Sequence, residues 1–304
     1  MTPPPITAPQ QLSAPRVIGS TRATLGEGLC WSVREQALWW VDILGQRLHR
    51  DTPDGAHHRD WAFDETLSAV AERRSLPGLA VTLRRGLALF DPEGGTLARL
   101  HEPERERAGN RFNDGKCDAQ GRFWGGSMDF GARAPTGALY RFDADGHGVR
   151  AADLGWPVVN GPAWSLDRRT LFVNDTVHRR VLAFTFDPET GTLGAAHEWA
   201  TFARTDGYPD GMTTDAAGRL WIAHWGGACV TCHHPRTAEP LLRIELPTAH
   251  ITNVAFGGPD MTTLFVSSAK FDLTDAQLAA QPLAGALFAV ETGATGLPAN
   301  LFAG

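Results

Sequence analysis

Apolar and polar residues alternate in short runs along most of the chain, with few stretches that keep a helical period. One phrase recurs: a turn, a brief apolar strand containing Leu-Trp or Leu-Phe, and a small polar ending. It reads Ala37-Leu38-Trp39-Trp40-Val41-Asp42, then Gly121-Arg122-Phe123-Trp124-Gly125-Gly126, then Thr170-Leu171-Phe172-Val173-Asn174-Asp175. It returns as Gly218-Arg219-Leu220-Trp221-Ile222-Ala223 and Thr263-Leu264-Phe265-Val266-Ser267-Ser268, with a degenerate copy at Gly78-Leu79-Ala80-Val81-Thr82. Period-2 runs bounded by Gly, Asp and Asn predict strands and hairpins. A spacing of roughly 40–50 residues predicts a four-stranded propeller blade. The expected architecture is therefore all-β: a six-bladed β-propeller with four antiparallel strands per blade. Residues 1–15 read as an N-terminal tail and 16–304 as one propeller domain. Within the latter, the stretch from Arg16 to Ala23 supplies a strand that closes the ring. Asp275 to Ala280 predicts one short turn of helix.

A second pattern is laid over the first. A small polar residue followed by glycine recurs at one register of the repeat: Glu27-Gly28, Asn113-Asp114-Gly115, Asn160-Gly161 and Asp210-Gly211. Each is expected just before the innermost strand of its blade, at the mouth of the central channel. Glu27, Asn160 and Asp210 then offer two carboxylates and an amide oxygen to one point. That set suits one divalent cation, Ca²⁺ foremost, with Mg²⁺ or Mn²⁺ next and Zn²⁺ or Fe²⁺ also accepting such ligands. Trp225 is a candidate wall on which a sugar ring would stack, and His224 a satisfied strand residue. Asp175 and Glu65 are weaker candidates, for a supporting group and a rim group.

Composition narrows the classes. The 304 residues are 42% hydrophobic and 20% charged, as in globular proteins. A net charge of −6 without a long basic run argues against nucleic-acid and anionic-membrane partners. Lysine occurs only at 116 and 270, the remaining positive charge being arginine. No basic, then apolar leader is visible near the start and no run approaches membrane-span length, so a cytoplasmic protein is expected. The four cysteines are too few for a disulfide framework. Cys229-Val230-Thr231-Cys232-His233 matches a haem-attachment or zinc spacing but sits in a strand-like stretch, which favours two plain thiols. No nucleophile-elbow serine and no phosphate-cradling loop is present.

Several motifs together resemble the SMP-30/gluconolactonase/regucalcin-like family of six-bladed propeller sugar lactonases. They are Leu25-Gly26-Glu27-Gly28, Arg111-Phe112-Asn113-Asp114-Gly115-Lys116-Cys117-Asp118, Asn160-Gly161-Pro162-Ala163-Trp164-Ser165 and Tyr208-Pro209-Asp210-Gly211-Met212. Ile251-Thr252-Asn253-Val254-Ala255-Phe256-Gly257-Gly258-Pro259-Asp260 resembles the family's last blade, and Leu29 stands where the family often has Pro. The resemblance implies that Glu27, Asn160 and Asp210 hold the metal. It implies that Asp210 is also the catalytic base, and that Arg111 and Asn113 hold the hydroxyls of the sugar. The expected function is metal-dependent hydrolysis of aldonolactones, such as gluconolactone, xylonolactone or arabinonolactone, in sugar catabolism. A metal-dependent esterase or phosphotriesterase, or a non-enzymatic metal-binding propeller, is the alternative. The expected partner is a small sugar lactone, and the expected state a monomer, with a weak dimer as the alternative.

Overall fold

The computed structural model describes residues 6–304; the first five residues of the expected tail lie outside the described residues. Six separate four-stranded antiparallel sheets are arranged as blades. In each, the first strand is the innermost. These are Gly26–Ser32, Leu67–Glu72, Asn110–Cys117, Val159–Trp164, Tyr208–Thr214 and Ile251–Gly257, and each packs against its neighbours around the ring. The recurring Leu-Trp or Leu-Phe phrase forms the second strand, as in Ala37–Asp42 and Thr170–Asp175. The last strands, such as Thr192–Thr201, are largely exposed.

Closure works as the sequence predicts, with a shorter strand. Arg16–Ile18 becomes the outer strand of blade six, pairing Arg16 with Ala289 and Ile18 with Leu287. This removes the open edge that would otherwise template association. Upstream, the Leu12 backbone N–H donates to the Glu291 carbonyl at 2.9 Å. The helix forms at Asp275–Ala280, where Thr274 and Gln277 make a reciprocal capping box.

One expectation needs correction. The polar–glycine pairs do not precede the inner strands; they lie inside them, at a bulge. Register slips between Glu27 and Cys30, Phe112 and Asp114, Asn160 and Ala163, and Pro209 and Met212. Blades two and six slip at the same place, Leu67/Ala69 and Ile251/Val254. A bulge unpairs one residue and re-aims its neighbour's side chain. Gly28 adopts φ 60°, which β-branched or bulky residues avoid. Gly211 is required differently: a Cβ there would lie 2.4 Å from Asn253 Nδ2 and 2.9 Å from its Cα.

Aromatic residues fill the wedges between blades. Trp221 meets Phe256 of the next blade edge-on at 5.4 Å, and Trp31 stacks on Phe265 at 5.5 Å. Two blades share a charged anchor that underlies the Asp-Ala-x-Gly-Arg-x-Trp repeat. Asp215 Oδ2 accepts from Arg219 Nε at 2.6 Å and Trp221 Nε1 at 2.8 Å, while its Oδ1 accepts two backbone N–H groups at 2.9 Å. Asp118 repeats this with Arg122 at 2.6 Å and Trp124 at 2.9 Å. The turn is thus built by a buried carboxylate as well as by glycine.

The chain ends as a strap across the far end of the channel. Ala216 N–H donates to Thr295 O at 2.8 Å, Phe302 N–H to Glu72 O at 2.8 Å and Ala303 N–H to Gly121 O at 2.9 Å. Phe302 is fully buried. Under Leu297–Asn300 lies a cavity of about 480 Å³, with Cys30, Cys117 and Lys116 in its wall.

Asp215→Ala would strand a buried guanidinium, an indole N–H and two backbone donors. It should cost about 3–5 kcal/mol, the range for breaking a buried pair from one side. Denaturant titration of the variant against the parent measures this.

Candidate active site

At the end of the channel opposite the strap, the inner-strand bulges bring a set of polar side chains together. Glu27, Arg111, Asn113, Asp114, Asn160, Asp210 and Asn253 are all buried, none more than 6% exposed. Arg111 Nη1 donates to Asn113 Oδ1 at 2.7 Å. Asn113 Nδ2 donates to Asn160 Oδ1 at 2.6 Å, and Asn160 Nδ2 to Thr176 Oγ1 at 2.9 Å. Thr176 in turn donates to the Pro209 carbonyl at 2.8 Å, and Asn174 Nδ2 bonds the Asp210 carbonyl. On the other side, Asn253 Nδ2 donates to Glu27 Oε2 at 2.8 Å and reaches Asp114 Oδ1 at 3.5 Å. Asp114 also accepts from Gly115 N–H at 2.7 Å and Gly161 N–H at 3.1 Å. One network therefore joins blades one, three, four, five and six.

Its electrostatics are unfavourable by themselves. Burial, then the charge of Asp114, pushes the Glu27 carboxyl up to about 8. Burial, then Glu27 and Asp114, raises Asp210 well above the usual carboxylate range. Asp114 is raised too, chiefly by burial. Burial pulls the Arg111 guanidinium down to about 10, against the pull of Glu27 and Asp210. Its Nε has no hydrogen-bond partner. Three carboxylates and amide oxygens, without a thiol or imidazole among them, are the donor chemistry of a hard divalent cation. Such a cation would also relieve the mutual repulsion, so the residues fit it. Among the described residues, no cluster of three or more His, Cys, Asp or Glu is arranged as a metal centre; the amide Asn160 is part of the expected set.

Trp225 ends the second strand of blade five, half-buried, at the same end of the channel. It stacks on His250 at 4.0 Å with 8° between the rings, and Phe271 lies 6.4 Å away. Phe130, 45% exposed, has the guanidinium groups of Arg84 and Arg111 each 5.7 Å from its ring. These groups form an aromatic rim above the buried cluster.

The weaker candidates sort cleanly. His224 is a buried strand residue and only half satisfied: its Nε2 bonds Thr231 Oγ1 at 2.6 Å and its ring packs on Phe202, while its Nδ1 has no partner among the described residues. Asp175 is not a supporting group of the site. It closes a hairpin by pairing His178 at 2.8 Å and Arg180 at 2.9 Å. Glu65 is held at the rim by Arg99 and Arg84. Cys229 and Cys232 lie on one strand, three positions apart, and therefore face opposite sides. Burial pushes both thiols up, and His233 is spent on Thr231 and Ala238. This string is blade structure.

Asn253, Asn174, Thr176 and the role of Asp114 were not foreseen. The first carries the one available signal: at the blade-six bulge Thr252 and Asn253 occupy the register of the polar–glycine pairs, with Asn253 in the glycine's place.

Known proteins were compared with this geometry. Residues 25–270 match the family model described as SMP-30/Gluconolactonase/LRE-like region. The chain belongs to this family. It is 38% identical over 284 residues to a 6-deoxy-6-sulfogluconolactonase from Pseudomonas putida, covering 93% of this chain and 96% of that protein. It is 36% identical over 290 residues to an L-arabinolactonase from Azospirillum brasilense, covering 95% of each. Among solved structures, a calcium-binding protein, regucalcin, from Agrobacterium tumefaciens superposes with a TM-score of 0.90. That pair is 29% identical, covering 95% of this chain and 97% of the other. Among the described residues, no helix is long and apolar enough to cross a membrane.

The raised carboxyls set a pH dependence. An acid whose folded pKa lies above its unfolded value adds stability at low pH and loses it as pH rises through the folded value. For Glu27 that window runs from its ordinary 4.5 to about 8. Chelator-treated protein should therefore melt at progressively lower temperature from pH 5 to about pH 8, and added Ca²⁺ should flatten the slope. Scanning calorimetry across this range checks both.

Proposed function

We propose that the protein is a divalent-cation-dependent hydrolase of sugar lactones, opening the cyclic ester of an aldonolactone to the aldonic acid. The observation that carries this reading is the buried carboxylate–amide cluster lying beside a buried arginine whose Nε is unpaired, beneath an aromatic rim. The open Nε of Arg111 leaves a buried donor for a ligand beside the carboxylates. The lactonase names of the relatives support the substrate class.

Glu27, Asn160 and Asp210 would hold the cation, with Ca²⁺ favoured by the all-oxygen donors. When bound, it supplies the Lewis acidity that polarises an ester carbonyl and steadies developing negative charge. The chain's own groups do the rest. Arg111 has free guanidinium donors for the substrate's oxygens, and its bond to Asn113 fixes the fork. Asn113 is held between Arg111 and Asn160, so hydroxyl recognition is coupled to the cation site. Trp225, braced flat by His250, offers its other face to the sugar ring. Asp210 is the proton carrier: its carboxylate takes a proton from the attacking water and returns it to the departing ring oxygen. The acyl–oxygen bond breaks and the acid and hydroxyl appear on one open chain.

Chelator-stripped protein should be inert toward 1,4- and 1,5-aldonolactones in a proton-release assay corrected for spontaneous opening, and single divalent cations should restore turnover. Asp210→Asn should lower kcat by about 10²–10⁴-fold, the usual weight of a positioned acid–base group, with the circular dichroism spectrum retained. Full activity in this variant would remove Asp210 from the role. Trp225→Ala should act mainly on KM, since a stacking wall binds the ground and transition states alike.

A further inference from the structure

One charged side chain in the channel has no part in this chemistry. Lys116, one of only two lysines, projects from the inner strand of blade three. It follows Asp114 by two positions, so both face the same side of the strand, towards the axis. Its Nζ bonds the Met212 carbonyl, on the inner strand of blade five. Met212 lies two residues after Asp210 on that strand. The lysine therefore spans from one blade to another, beneath the carboxylates and above the far cavity whose wall it forms.

Asp114 explains why a cation is needed there. It is fully buried, and its bonds come from the neutral donors Gly115, Gly161 and Asn253. It appears in no ion pair among the described residues. Lys116 makes no direct ion pair with it either, but it leaves the same face of the strand two positions on, and its ammonium is the positive charge that acts on Asp114 and Glu27 at longer range. In formal charges, Glu27, Asp114 and Asp210 against Arg111 and Lys116 leave the channel one excess negative charge. Without Lys116 it would keep two.

We infer that Lys116 is a positioning residue: it is the built-in counter-ion of Asp114, tethers the strand that carries Asp210, and holds down the affinity of the site for a divalent cation. The last of these rests on the cation reading above; the first two do not. An internal ammonium lets the ring close before any metal arrives. It also weakens the cation's hold through like-charge repulsion, which leaves the cation open to an incoming substrate oxygen.

The test is a cycle of Lys116→Met, Asp114→Asn and the double variant in chelator-stripped protein, followed by melting temperature. Lys116→Met should melt well below the parent, and adding Asp114→Asn should recover at least half of the loss, because the stranded carboxylate is gone. Additive losses would overturn the pairing. A single variant that fails to fold while the double folds is the same result in extreme form; failure of both overturns it. Calorimetric titration with Ca²⁺ then reads the charge. Folded Lys116→Met should bind at least about tenfold tighter than the parent, as loss of a nearby like charge in a low-dielectric channel requires, and Lys116→Arg should stay within about threefold of the parent. A lysine that merely packs would predict weaker or unchanged binding in Lys116→Met, and that outcome overturns the inference. A parent that binds no Ca²⁺ refutes the cation reading, and the thermal cycle still decides the pairing.

Discussion

Six strands must converge on one axis, and the rest of the molecule follows from how that convergence is tolerated. Neighbouring inner strands leave little room for side chains near the axis, and a regular strand would fill it with every second residue. The bulge shared by all six blades changes this. It unpairs a residue at one height, so polar side chains from several blades meet in a layer. Gly28 supplies the left-handed backbone of one bulge, and Gly211 gives Asn253 the space of a missing Cβ. Ring closure through Arg16–Ile18 then keeps the six bulges at a common level.

A layer built this way concentrates carboxylates where water is scarce, and its cost is electrostatic. The shifts on Glu27, Asp114 and Asp210 share one origin, desolvation, reinforced at Glu27 and Asp210 by repulsion from neighbouring carboxylates. Arg111 and Lys116 balance part of it from opposite sides, one facing the mouth and one the floor. The amides of Asn113, Asn160 and Asn253 add donors without adding charge. A hard cation entering such a layer would offset the repulsion, and its binding would then be tied to stability. The same low dielectric that penalises the free carboxylates strengthens any interaction they make with a substrate-polarising ion.

Much of this was legible in the chain because a repeat multiplies weak signals. One Asp-Gly pair is an ordinary turn, but the same pair at one register of several blades marks an axis. What was not legible follows from physics that leaves little compositional trace. The bulge changes pairing by one residue, so the pairs read as turns before the strand when they lie within it. Asn174, Thr176 and Asn253 carry no following glycine, and read as polar residues at the end of a strand, in its turn and within the last inner strand. Asp118 and Asp215 read as turn residues, yet they gather an arginine, an indole and backbone donors. Asp175 has the placement of a site residue, but its arginine and histidine lie within five positions and capture it first. The terminal strap has no period at all, since it is held by backbone bonds to four blades.

The two ends of the channel are built for different tasks. The strap end is crossed by backbone hydrogen bonds and anchored by the buried Phe302. Phe130 and Phe271 stand at the mouth on blade connections, with Trp225 at the end of a strand and His250 bridged to it. The stacked His250 has both ring nitrogens unpartnered, and burial holds the imidazole below its ordinary pKa. A neutral imidazole against an indole adds polarity to an apolar wall without adding charge to a channel that already carries too much. The polar layer depends on the rigid inner register, where a shift of one residue would dismantle the network. Phe130 and Phe271 lie outside the named strands, so an exchange at either leaves the strand pairing, the carboxylate layer, its arginine and its lysine in place.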